Sequence, residues 1–139
     1  MPLSPYEEVG DDEVFYRRIP KSPTHYTADG RIVDEAFRPH KNDDDGLSIT
    51  RKLLVSGPEA AAHGPSLKGY VVVWFTAREL RSIQLTVVTT PTDDNPGHCS
   101  IPEMNAGNRR EKETEERMSQ LAAWCYDRVI FETPVAPPQ

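Results

Sequence analysis

Residues 70–90 read YVVVWFTARELRSIQLTVVTT and contain two apolar segments separated by a short helical signal. The first segment, residues 70–75, is a continuous apolar run of strand length, which is typical of a strand buried on both faces. The letters TARE that follow match a capping box, in which a threonine and a glutamate three residues later cap the start of a helix. The sequence therefore predicts a strand at 70–75, a helix at 77–83 and a second strand at 85–90.

A long helix is predicted at residues 109–128, with Asn108 as its cap. Its apolar residues recur at helical spacing and form one stripe, consisting of Met118, Leu121, Ala122, Cys125 and Val129. Strands are also predicted at residues 14–19, 47–50 and 98–101, with a long loop at 20–46 and a helical turn at 58–62. Together these elements predict an α+β fold, in which a small, mostly antiparallel sheet of four to five strands has the C-terminal helix packed across it.

The domain boundaries follow from composition at the two ends of the chain. Residues 1–12 are polar and contain two prolines, which predicts a flexible N-terminal segment. Residues 133–139 contain three prolines, which cannot donate to a strand ladder, and this predicts a proline-rich tail. Residues 13–132 are then expected to form a single α+β domain.

The charge of the chain argues against nucleic-acid binding. Its 139 residues include 16 Lys and Arg against 22 Asp and Glu, which gives a net charge of −6. Residues 1–69 carry 9 basic and 12 acidic side chains, and residues 70–139 carry 7 and 10, so neither half is basic.

The sequence has neither a signal peptide nor an apolar run that approaches the roughly 18 residues of a membrane helix. We therefore expect a cytoplasmic protein without membrane contact.

The cysteines and most histidines give no sign of a metal or a cofactor. Cys99 and Cys125 are isolated, so no disulfide scaffold is expected, and Cys125 is interpreted as a buried thiol rather than a nucleophile. The acidic residues at 42–46 lack the twelve ordered positions of a calcium-binding loop. Three histidines are scattered in predicted loops, namely His25, His40 and His63.

One candidate catalytic pair is His98 with Asp94, in the loop DDNPGH at residues 93–98. A carboxylate beside an imidazole can orient and charge the ring for general acid–base catalysis. The alternative is a hairpin loop built from turn-forming residues, with His98 as the first residue of the next strand. No GxSxG, phosphate-binding or GxGxxG motif is present, so Ser48 and Ser100 are interpreted as strand serines.

Two arginines of the predicted strand at 14–19 are candidates for anion binding. Strand alternation places Arg17 on the face of Phe15 and Ile19, and Arg18 on the opposite face. An arginine can bind phosphate or carboxylate with two parallel hydrogen bonds. In the alternative interpretation Arg18 lies in solvent and Arg17 pairs with a loop carboxylate.

Several short motifs follow one another in the order RRIP at 17–20, AF at 36–37, LSI at 47–49, FTA at 75–77 and PGH at 96–98. In this order they resemble a group of short bacterial proteins described as uncharacterised. The helix that follows FTA is shorter here than in that group. The resemblance implies no established activity and carries no catalytic residue. It does imply an association with multi-component bacterial systems, including conflict or defence operons.

The sequence favours a binding protein over an enzyme. The first hypothesis is a non-catalytic accessory or protein-interaction subunit of a bacterial multi-component system, binding another protein of that system through Arg109 and Arg110. One alternative is a small hydrolase or transferase acting on a phosphorylated or nucleotide substrate through Arg17 and His98. Another alternative is a nucleic-acid-contacting subunit of a larger complex, in which four arginines touch phosphates: Arg17, Arg18, Arg109 and Arg110.

Overall fold

The computed structural model describes residues 8–58 and 69–133. Within these ranges six strands form one antiparallel sheet in the order β4-β5-β2-β1-β3-β6. The strands are β1 (Val14–Pro20), β2 (Leu47–Arg51), β3 (Tyr70–Thr76), β4 (Val88–Thr89), β5 (His98–Ile101) and β6 (Val129–Glu132). The helices are α1 (Ala77–Ser82) and α2 (Lys112–Trp124). The predicted α+β fold is confirmed, with six strands rather than four to five.

One face of the sheet forms the core beneath α2. The register pairs Phe15 of β1 with Phe75 of β3, so two buried aromatic rings lie side by side on this face. Leu121 and Met118 of α2 are buried in the same apolar cluster. The predicted cover of the central strand by the C-terminal helix is therefore confirmed.

The predicted capping box is present at the start of α1. The Thr76 hydroxyl accepts from the Glu79 backbone N–H at 3.2 Å, and the Glu79 carboxylate accepts from the Thr76 N–H at 3.0 Å. After α1 the chain reverses through Gln84, which has a φ of 60°. The predicted strand at 85–90 is shorter than expected, because the Thr86 N–H donates to the Glu103 side chain at 2.9 Å instead of to a strand.

The C-terminal helix begins later and ends earlier than predicted. Asn108 does not cap α2, because it exchanges side-chain and backbone hydrogen bonds with Asn105 around a 3-10 turn at Ala106–Asn108. The last predicted helical turn is a 3-10 turn at Cys125–Asp127. Val129 leaves the apolar stripe and begins β6, where it is 42% exposed.

Parts of both chain termini and one internal segment lie outside the residues that the structure describes. Most of the predicted helical turn at 58–62, the first seven residues of the predicted N-terminal segment and residues 134–139 of the predicted tail lie outside the described residues. Of the described N-terminal residues, Val9 is buried in the main core and its carbonyl accepts from Arg81 at 2.8 Å. Residues before 13 therefore contribute contacts to the fold.

Candidate functional site

A cavity of about 1030 Å³ opens on the sheet face away from α2. Pairing between β1 and β2 is limited to two positions, Phe15 with Arg51 and Tyr16 with Thr50, although both strands continue beyond them. The two strands therefore separate, and the cavity lies at this separation. We call it the sheet cavity; its lining includes Tyr16, Arg17, Arg18, His40, Asp43, Ser48, Thr50, Tyr70, Asp94, Asn95 and His98.

The register of β2 and β5 brings a serine and a histidine together in the sheet cavity. Ser48 pairs with Ser100 and Thr50 pairs with His98, so all four side chains point to one face of the sheet. Nε2 of His98 lies 3.1 Å from Oγ of Ser48. Gly46, at a φ of +118°, lets β2 begin this close to β5, since a Cβ there would lie 2.2 Å from the Ile101 carbonyl oxygen.

The backbone carbonyl of Thr90, directly after β4, favours one tautomer of His98. Nδ1 of the ring lies 2.9 Å from the carbonyl oxygen of Thr90, and a carbonyl oxygen only accepts hydrogen bonds. A hydrogen bond to this carbonyl needs a proton on Nδ1, and in that tautomer the lone pair of the neutral ring lies on Nε2. With the proton on Nδ1, the Ser48 hydroxyl donates to Nε2. This is the arrangement of a nucleophile and its base.

A chain of hydroxyl groups holds the histidine ring from the other side. Thr90 Oγ1 lies 2.9 Å from Nδ1 of His98 and 2.8 Å from Oγ of Ser100, which is buried. The Asn95 side-chain amide donates to Thr50 Oγ1 at 3.2 Å. These contacts fix both strands and the preceding loop around the imidazole, so the ring has little freedom to turn away from Ser48.

Asp94 does not hold His98 as the sequence suggested. It is exposed and lines the sheet cavity, but within the described residues it forms no hydrogen bond to the imidazole. The position beside Nδ1 is occupied by Thr90 instead. The loop itself has the expected turn structure, because the Thr92 hydroxyl accepts from the Asn95 N–H at 3.0 Å and the Asn95 carbonyl accepts from the His98 N–H at 3.1 Å.

Arg17 occupies the gap between β1 and β2. Its two Nη groups donate to the carbonyl oxygens of Ser48 at 2.8 Å and Ala36 at 3.0 Å, and the guanidinium lies 5.8 Å from the centre of the Phe37 ring. Burial lowers the pKa of Arg17 to about 10, so it remains a cation at neutral pH. No carboxylate forms a salt bridge with it in the described chain, in contrast to the predicted alternative. Arg17 therefore anchors the backbone of Ser48.

Arg18 points to the opposite face and into the sheet cavity, as strand alternation predicts. Its guanidinium carbon lies 5.1 Å from the centre of the Tyr70 ring, a cation–π distance. The residue is exposed, and the described parts of the chain offer it neither a hydrogen bond nor an ion pair. Of the two arginines, Arg18 is thus the one with donors available to a ligand.

Arg109 and Arg110 lie between the 3-10 turn at Ala106–Asn108 and the start of α2. Arg109 is half-buried, and its Nε donates to the Pro39 carbonyl at 2.9 Å. Arg110 is exposed, with no hydrogen bond or ion pair in residues 8–58 and 69–133. Neither arginine contacts the pair on β1 by a hydrogen bond. The partner-binding role predicted for Arg109 and Arg110 remains a prediction.

Other titratable groups do not form a second centre in the described ranges. No group of three or more His, Cys, Asp or Glu side chains there is arranged to hold a metal ion. Burial lowers the pKa of His25, whose Nδ1 lies 2.7 Å from the Ser22 hydroxyl. His40 borders the sheet cavity, and its Nδ1 accepts from the Asn42 N–H at 3.1 Å. His63 lies outside the described residues.

Both thiols are buried, as the place of Cys125 on the apolar helix stripe predicted for that residue. Cys99 is 1% exposed and Cys125 is 2% exposed. Burial raises the pKa of Cys99 to about 11 and that of Cys125 to about 12, so both remain protonated at neutral pH. Neither thiol is suited to act as a nucleophile.

Sequence reasoning identified His98 and missed its partner. Strand alternation in LSIT placed Ser48 and Thr50 on one face of β2, but no local motif marked either as functional. The signal lies in strand pairing, which connects residues fifty positions apart.

Comparison of the chain with profiles of known protein families, with curated proteins and with solved structures found no match. The resemblance drawn from the short motifs therefore rests on those residues alone. Among the described helices, none has the length and apolar character needed to cross a bilayer.

Proposed function

We propose that the protein is a small hydrolase that cleaves an ester or thioester, with Ser48 as nucleophile and His98 as general base. The observation that carries this proposal is the 3.1 Å contact from Ser48 Oγ to Nε2 of a histidine whose Nδ1 faces the Thr90 carbonyl. Both residues line a cavity of about 1030 Å³, which is large enough for a small-molecule substrate. The proposal belongs to the enzyme alternative of the sequence analysis, with a serine nucleophile added.

The chemistry needs only the chain and water. Oγ of Ser48 forms a bond to the acyl carbon while its proton passes to Nε2 of His98. The imidazolium then gives this proton to the leaving oxygen or sulfur as the bond to the acyl carbon breaks. Water attacks the acyl-serine, its proton passes to Nε2, and the proton returns to Ser48 Oγ as the carboxylic acid leaves.

The imidazole of His98 is oriented by a neutral carbonyl group and not by a carboxylate, and this limits the range of substrates. The Thr90 carbonyl orients the ring and offers only a partial negative charge to the imidazolium, whereas a carboxylate would offer a full one. The base is accordingly weaker than in a triad. Substrates with a good leaving group, such as thioesters and aryl esters, fit this arrangement better than amides.

A serine-directed probe tests the proposal. Incubation with a fluorophosphonate, followed by peptide mass spectrometry, should place the label on Ser48, and both Ser48→Ala and His98→Ala should abolish labelling. Ser119→Ala serves as the matched control, because Ser119 is exposed on α2 and its hydroxyl forms a hydrogen bond only with the Asp34 carboxylate within the described chain. Absence of a label on Ser48 in the folded wild-type protein would overturn the proposal.

An accessory subunit is the second candidate, and one observation favours it. Three large side chains at the C-terminal end of the domain are exposed: Tyr126 at 94%, Val129 at 42% and Ile130 at 48%. Large apolar side chains left in solvent are a feature of surfaces that bind other proteins. Under this proposal the partner is another protein of a cytoplasmic bacterial multi-component system. Tyr126→Ser with Ile130→Ser should then abolish complex formation in the native host, and Ser48→Ala should leave it intact.

A further inference from the structure

The guanidinium of Arg18 is a charged group in the wall of the sheet cavity that forms no ion pair within the described part of the chain. Its guanidinium carbon lies 5.1 Å from the centre of the Tyr70 ring, and its N–H groups form no hydrogen bond with residues 8–58 and 69–133. Two other arginines show the contrast. Arg51 holds the Glu13 carboxylate at 2.6 Å, and Arg128 holds both oxygens of Glu79 at 2.6 Å.

Arg18 and the proposed nucleophile line the same cavity, on either side of the separation between β1 and β2. Tyr16 pairs with Thr50, and two residues further along each strand stand Arg18 on β1 and Ser48 on β2. Alternation keeps both side chains on the cavity face of adjacent strands. A group bound by Arg18 and an acyl carbon presented to Ser48 would therefore lie in the same cavity, where one small molecule can carry both.

We infer that Arg18 binds an oxyanion of the substrate, so that the ester or thioester cleaved at Ser48 carries a carboxylate or phosphate group. This inference rests on the proposed hydrolase function. A planar guanidinium matches both oxyanions, because each presents two oxygens to parallel N–H donors. The aromatic wall formed by Tyr70 and Tyr16 would contact the apolar part of the same molecule.

The neighbouring charges favour one anionic group over a polyanion. The half-buried cation Arg17 stands next to Arg18 in β1, and its charge adds to the positive potential at this end of the cavity. Two carboxylates, Asp43 and Asp94, also line the cavity and would repel a long polyanion. The Asp43 carboxylate accepts a hydrogen bond from the backbone N–H of His40 at 2.7 Å. A small mono-anionic or phosphate-bearing ester suits this distribution, and a nucleic-acid strand does not.

Calorimetry on the Ser48→Ala protein tests the inference without turnover. Monomethyl succinate carries one carboxylate, dimethyl succinate carries none, and the methyl ester of phosphoglycolate carries a phosphate. We expect one of the two anions to bind at least about 10-fold more tightly than dimethyl succinate, as one charge-assisted contact would produce. Comparison of the two anions identifies the carboxylate or the phosphate as the preferred group.

The second step replaces the arginine. Adding Arg18→Gln to the Ser48→Ala protein should remove the preference for the anion, and Arg18→Lys should restore part of it. Arg31→Gln is the matched control, because Arg31 is exposed in the loop beside α2 and is not in the sheet cavity. Circular dichroism should show the same fold in all variants.

The outcomes separate this inference from the hydrolase proposal. Equal affinity for the neutral and anionic esters would overturn the inference, whatever the labelling of Ser48 shows. Anion binding that needs Arg18, in a protein whose Ser48 takes no label, would identify an anion receptor and overturn the assignment of a substrate subsite. Anion binding through Arg18 together with labelling of Ser48 supports both.

Discussion

Replacement of Glu79 by glutamine should lower the free energy of unfolding by about 1.5–3 kcal/mol at pH 7. The Glu79 carboxylate accepts two hydrogen bonds from Arg128 at 2.6 Å and one from the Thr76 N–H at 3.0 Å. The side chains of Glu79 and Arg128 are only 23% and 18% exposed, so water replaces these contacts poorly. Glutamine keeps an acceptor for the helix cap, and the predicted loss is that of the charged pair.

The loss should depend on pH in a direction set by the carboxylate. The hydrogen bond from Arg128 lowers the pKa of Glu79 below its usual 4.5, against the opposing effect of burial. A carboxyl whose pKa is lower in the folded state stabilises the fold fully above its unfolded pKa and loses this contribution as the pH falls through the folded value. The difference between the wild type and Glu79→Gln should therefore be largest near neutral pH and shrink below pH 4.5.

Urea unfolding followed by far-UV circular dichroism measures both effects. A double-mutant cycle with Arg128→Met isolates the pair, because Arg128 also lies 4.3 Å from the centre of the Trp74 ring and would lose that contact in the single variant. The reasoning fails if the two substitutions are additive at pH 7. It also fails if the difference between Glu79→Gln and the wild type is the same at acidic and neutral pH.

Two further predictions concern the core. Leu121→Ala should lower the free energy of unfolding by about 2–5 kcal/mol, because Leu121 is 1% exposed in the cluster beneath the sheet, and a loss below 1 kcal/mol by urea titration would contradict the packing of α2. Cys99 and Cys125 should not react with Ellman's reagent in the native protein, since burial keeps both thiols protonated, and should react fully in urea. Rapid modification of either thiol under native conditions would refute this burial.

Local signals in the sequence predicted the elements that depend on neighbouring residues. The apolar run of β3 and the capping box at Thr76 and Glu79 are complete within one short segment, and both are present in the structure. The start of α2 was misplaced because Asn108 and Asn105 satisfy each other in a separate turn before the helix. Asn105 and Asn108 are both suitable N-cap residues, and their spacing in the sequence does not show which of them precedes a long helix.

Long-range pairing explains what the sequence did not predict. Strand β6 exists because β3 offers an edge, and its residues Val129–Glu132 carry no turn signal that separates them from the preceding helix. The partner of His98 depends on the β2–β5 register and on the Thr90 carbonyl, neither of which is visible in the loop sequence. Asp94 is only four residues from His98 in the sequence but does not contact its ring. Ser48 is fifty residues away in the sequence, and its hydroxyl lies 3.1 Å from the ring.

The tautomer of His98 tests the proposed site most directly. A long-range ¹H–¹⁵N NMR experiment on the full chain, at alkaline pH where histidine rings are neutral, distinguishes a proton on Nδ1 from one on Nε2. The contacts to Thr90 and Ser48 predict that His98 carries its proton on Nδ1 and accepts from Ser48 at Nε2. Ser48→Ala should shift the Nε2 resonance without moving the proton. A proton found on Nε2 in the wild type would contradict the assignment of Ser48 as a nucleophile activated by His98.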